Sequence, residues 1–183
     1  MKKSLIFTII ALSSYPVFAG NDIKTISDWK MVDDKDAVIA ATDGASIEIG
    51  VDGKYFYDQK NIARLGIMCN KELSLMITSI VLIGSTPTGK NMEQVKYSYS
   101  MNYNKKPENK IVYDWKKVIS KQGIGSLQNF SKDYPVEIMR ADDSYYISIF
   151  SVEEKPVPVM YGFSLKGYRE AIKPVLNACN ISY

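Results

Sequence analysis

The segment Tyr168-Arg169-Glu170-Ala171-Ile172-Lys173-Pro174-Val175-Leu176-Asn177-Ala178-Cys179 decides the fold class. Its apolar positions, Tyr168, Ala171, Ile172, Val175, Leu176 and Cys179, follow i, i+3, i+4, i+7, i+8 and i+11. That spacing lays one apolar stripe along a helix. Pro174 removes an amide inside the segment and is expected to kink it. A helix with a single stripe has to bury it against another layer. The residues upstream show what that layer is.

There the period is two. Ala63, Leu65, Ile67 and Cys69 alternate with Arg64, Gly66 and Met68, and Leu73, Leu75, Ile77 and Val81 share one face of the next run. Tyr97, Tyr99, Met101 and Tyr103 oppose Lys96, Ser98, Ser100 and Asn102. Val136–Arg140 and Tyr145–Val152 form another strand pair, joined by the turn-like Ala141-Asp142-Asp143-Ser144. In Val157–Leu165 the inward positions are Val159, Tyr161, Phe163 and Leu165. Alternation of this kind marks half-buried strands. The chain is therefore expected to be α+β and β-rich, an antiparallel sheet or sandwich with a C-terminal amphipathic helix packed on it.

The opening MKKSLIFTIIALSSYPVFAG has Lys2 and Lys3, a short apolar core from Leu5 to Leu12, and Val17-Phe18-Ala19 before Gly20. This pattern predicts a secretory signal peptide over 1–19, cleaved near Ala19/Gly20, and a single exported globular domain over 20–183 in the periplasm or outside the cell. The apolar core is too short to span a bilayer, and so is the greasiest later run, Leu73 to Gly84. No integral membrane span is expected after cleavage. The formal charge is +3, from 23 basic against 20 acidic residues. Lys2 and Lys3 leave with the leader, so 21 basic residues remain against 20 acidic. No basic stripe argues for nucleic acid.

The chain has two cysteines, Cys69 and Cys179, and no histidine. An even count in an exported chain points to a disulfide. Cys69 lies on the inward face of its strand and Cys179 on the helix stripe, so both are directed at one core. The bridge would close a loop of roughly 110 residues, worth about 4–5 kcal/mol in the chain-entropy account.

The stretch Ile83-Gly84-Ser85-Thr86-Pro87-Thr88-Gly89-Lys90-Asn91 falls one residue short of the phosphate-cradling loop G-x-x-x-x-G-K-[ST]. That loop needs a strand before it and a helix after it. A strand pattern follows instead, Asn91 lacks the magnesium-binding hydroxyl, and Pro87 lacks an amide. The segment is expected to be a Gly/Pro loop between two antiparallel strands, with no nucleotide bound. Asp33, Asp34 and Asp36 do not match a calcium loop, so no metal is expected. Glu153 and Glu154 are adjacent and point to opposite faces of a strand, which is poor geometry for two carboxylates acting on one bond. The alternating tyrosines are expected to be core packing rather than a ligand platform. With so little of the usual site chemistry, no catalytic or cofactor-binding residue is assigned and the chain is expected not to be an enzyme.

Several separated segments resemble one family. Trp29-Lys30-Met31-Val32-Asp33-Asp34-Lys35-Asp36-Ala37-Val38 is similar to its opening Trp, acidic segment and strand. Ala63-Arg64-Leu65-Gly66-Ile67-Met68-Cys69 resembles its first cysteine at a strand end. Phe163-Ser164-Leu165-Lys166-Gly167-Tyr168, through Ala171-Ile172-Lys173-Pro174 to Cys179-Asn180, resembles its closing strand, glycine, helix and second cysteine. The family is the type VI secretion-associated periplasmic accessory proteins, VasI/TagO-like. Where it commonly carries V-x-Y-R-x-D, this chain has Val95-Lys96-Tyr97-Ser98-Tyr99-Ser100, so a partner contact made by those charges would be lost or changed. The resemblance implies an accessory role in the cell envelope, a protein partner there, and no catalysis. The rival expectation is a periplasmic immunity protein, or an inhibitor of an envelope-targeting toxin or hydrolase.

Overall fold

The computed structural model describes residues 23–49, 55–83, 95–102, 115–119, 125–140, 145–152 and 159–183. The leader, the loop at 84–91, Asp142 and Asp143, and Glu153 and Glu154 lie outside them.

The described residues form ten strands and two helices. The strands are β1 (Lys24–Ile26), β2 (Trp29–Asp33), β3 (Ala37–Ile49), β4 (Tyr55–Asn70), β5 (Leu75–Ile83), β6 (Val95–Asn102), β7 (Lys116–Ile119), β8 (Gly125–Asn129), β9 (Tyr145–Val152) and β10 (Val159–Ser164). The helices are α1 (Asp133–Arg140) and α2 (Tyr168–Ala178). The strands make one antiparallel sheet in the order β6-β9-β10-β3-β4-β5-β8-β7, and β2 joins β3 and carries β1. The fold is α+β and β-rich, with α2 packed on β1 to β4.

The stripe read from the sequence is the stripe that is buried. Tyr168, Ala171, Ile172, Val175, Leu176 and Cys179 all enter the main core, as do Ala63, Leu65, Ile67 and Cys69 from β4 and Tyr161, Phe163 and Leu165. The helix continues through Pro174 to Ala178. Trp29 is fully buried at the centre, 4.9 Å from the Tyr168 ring in an edge contact. The opposite face of the sheet buries a second, smaller apolar cluster of Ala37, Ile39, Met68 and Ile77. Both faces are thus buried along the middle of β3 to β5, as near-continuous apolar runs allow.

Two expectations are corrected. Val136–Arg140 is not a strand but the body of α1. A short apolar run fits either period, and here the flanks choose helix. Pro135 is tolerated in the first turn. The Ser131 hydroxyl accepts from the Asp133 amide at 3.3 Å, and Tyr134 and Ile138, one turn apart, both reach the main core. Second, Leu73 does not share the face of Leu75 and Ile77: it lies in the turn before β5 and is 52% exposed. Leu75 and Ile77 pack with the smaller cluster, and the main core takes Met76 and Ile80. Register is the reason, because Met76 pairs with Cys69 and Ile80 with Leu65 and so inherits their face. As for strand order, β5 and β6, the strands on either side of residues 84–94, are not neighbours in the sheet. Four strands separate them, and β6 pairs with β9.

One edge of β3 is divided. Val38 to Ala41 pair with β2, and Ala45 to Ile47 pair with β10. Thr42, Asp43 and Gly44 lie between. Gly44 is required there, since a Cβ would fall 2.3 Å from the Gly162 carbonyl oxygen and 2.5 Å from the Phe163 ring.

Candidate functional site

The point where β2 begins and β10 ends on the β3 edge opens as a cleft of about 310 Å³. Asp28, Lys30, Ala41, Thr42, Asp43, Arg64 and Ser164 line it. Register assembles it. Lys30 stands opposite Ala41, and Asp43 opposite Arg64, so all four are brought to one face of the sheet.

Arg64 holds Asp43 with two hydrogen bonds, Nε to Oδ1 at 2.7 Å and a second nitrogen to Oδ2 at 3.0 Å. The planar guanidinium matches the carboxylate in this paired form. Asp28 is held from three sides. The Thr42 hydroxyl donates to its carbonyl at 2.8 Å, the Ser164 hydroxyl donates to its Oδ2 at 2.6 Å, and its amide donates to the Lys166 carbonyl at 3.4 Å. Ser164 is itself fixed by the buried indole of Trp29, whose Nε1 donates to the Ser164 carbonyl at 3.1 Å. Trp29 thus anchors the cleft wall to the main core.

The Ser164 hydroxyl spends its proton on Asp28 and accepts from the Lys166 amide at 3.2 Å. Among the described residues no lysine ammonium contacts it, and the chain has no imidazole to activate it.

Cys69 and Cys179, the residues singled out from the sequence, are joined, with Cα atoms 5.6 Å apart. Both are buried, at 0% and 2% exposure, where the bond links the end of β4 to the end of α2. The acidic segment is a salt-bridged turn. Lys71 Nζ reaches Asp33 Oδ1 at 2.6 Å and the Asp34 carbonyl at 2.7 Å, and the Lys35 amide donates to Asp34 Oδ1 at 2.6 Å. Among the described residues no helix is long and apolar enough to cross a membrane.

Sequence reasoning missed the cleft. The one signal for it was Arg64, a charge within the otherwise apolar run Ile62 to Cys69; its partner on β3 needed the register.

No protein-family model matches the chain, and no curated protein sequence matches it. Among solved structures the chain is similar to the crystal structure of invasion associated protein B from Bartonella henselae, with a TM-score of 0.52 and 11% sequence identity, over 85% of this chain and 96% of that one. At that identity the likeness is one of fold, a β-rich α+β domain.

Proposed function

We propose that the chain is an exported, disulfide-bonded, non-enzymatic accessory protein of the bacterial cell envelope that works by binding another protein. The observation that carries this reading is the buried Cys69–Cys179 bond, which ties the central sheet to the C-terminal helix. A disulfide built into the core belongs to a protein folded in an oxidising compartment. The leader-like first residues agree with that setting. The setting within the envelope follows from the resemblance of the Trp29, Cys69 and Cys179 segments, which points to type VI secretion.

The experiment is in-cell crosslinking of the tagged protein, purification from the envelope fraction, and identification by mass spectrometry. Subunits of a secretion machine are the expected catch. A single toxin or hydrolase at equal stoichiometry would replace this reading with the immunity or inhibitor one. Recovery of the protein with reduced cysteines in the cytoplasmic fraction would overturn export.

A further inference from the structure

We infer that the cleft beside β3 binds an amino-acid-like zwitterion, whose carboxylate sits on Lys30 and whose ammonium sits on Asp28. The argument is an account of charge. Four charged residues line the cleft, two acidic and two basic. Arg64 and Asp43 neutralise each other through their paired hydrogen bonds. Lys30 and Asp28 are left. Among the described residues Lys30 Nζ has no partner, and Asp28 accepts a bond on Oδ2 but none on Oδ1. The cleft thus offers one ammonium and one carboxylate oxygen, with a net charge of zero.

A neutral pair of this kind gives no long-range pull on a polyanion. It suits a small ligand that carries both charges, each of which supplies a charge-assisted hydrogen bond. The space agrees, because about 310 Å³ lies at the small end of ligand sites. Ala41 and Thr42, both short side chains, complete this part of the lining. The acidic end is also preorganised. Thr42, Ser164 and the Lys166 carbonyl hold Asp28 before any ligand arrives, and Trp29 holds Ser164. At that end little ordering is left to be done on binding. Both charged groups are open to solvent, so affinity should be weak, on the order of millimolar.

The test is a titration of the oxidised protein followed by amide chemical shifts, with three probes: alanine, N-acetylalanine, which lacks the ammonium, and alaninamide, which lacks the carboxylate. Alanine is expected to move the amides of Asp28, Lys30, Thr42 and Lys166, with either analogue at least about tenfold weaker. Lys30→Met and Asp28→Asn should each weaken alanine by about tenfold while leaving the melting temperature in place; Asn retains an acceptor for the Ser164 hydroxyl. Three outcomes overturn the inference: no shifts with alanine, equal affinity for all three probes, or alanine binding that survives both substitutions. Tight binding of N-acetylalanine alone would make the cleft a simple anion site and would overturn it as well.

Discussion

The two faces of β4 do different work. On one, Leu65, Ile67 and Cys69 are buried in a single core with Val175, Leu176 and Cys179 of α2. On the other, at the same height, Arg64 reaches across to Asp43, with side-chain exposures of 12% and 44%. The first face removes a large apolar area from water at about 25 cal/mol per Å², and a covalent bond closes it. The second holds charges in fixed geometry with little net gain, since a partly exposed ion pair is worth about 0–1 kcal/mol. The larger core and the covalent bond lie on the helix side, while the other face carries the smaller apolar cluster and, beside it, the charged cleft. Trp29 bridges them, buried among the apolar residues and hydrogen-bonded to Ser164 at the cleft wall.

This division can be broken from the helix side first. Leu176→Asp should abolish folding, because an unpaired carboxylate at a fully buried position costs an amount comparable to the whole stability of a domain. A cooperative thermal transition in that variant would contradict the assignment of the buried face. Cys69→Ser or Cys179→Ser should cost about 2–5 kcal/mol, read as a lower melting temperature in both variants and in the reduced parent protein. An unchanged temperature would mean that the bond adds nothing.

At the boundary between the two regions, Gly44→Ala should cost about 1–3 kcal/mol. The new methyl group would meet the Gly162 carbonyl oxygen, and β10 cannot retreat without loosening Phe163 from the core. The smallest effect belongs to the cleft. Arg64→Ala and Asp43→Ala, measured singly and together, should show a coupling of about 0.2–1 kcal/mol that shrinks with added salt. A coupling of several kcal/mol would place part of the fold's stability on the face assigned to recognition.

The contrast between the helices explains what could be read in advance. The stripe of α2 runs over three turns with all its apolar positions in phase, so periodicity alone identified the element, its buried face and its place at the end of a strand-rich chain. The same alternation placed Cys69 inward on β4, and the two directions together named the disulfide. In α1 the sequence Val136-Glu137-Ile138-Met139-Arg140 alternates as a strand would, and eight residues are too few for the helical period to show. Tyr134 and Ile138 settle the matter by packing into the core, a contact between distant parts of the chain.

Strand order and the cleft belong with α1. Alternation reports that a strand has two faces. It carries no information on which strand lies beside it, and so β6 beside β9, and β2 and β10 sharing one edge of β3, could not be anticipated. Asp28, Asp43, Arg64 and Ser164 are ordinary polar residues in a linear reading. Register alone brings them within hydrogen-bonding distance. Local chemistry, repeated in phase along one element, is enough to specify helix α2, the inward faces of β4 and β10, and the bridge between α2 and β4. Pairing across the sheet depends on contacts between residues far apart in the chain, and these form only when the whole sheet folds.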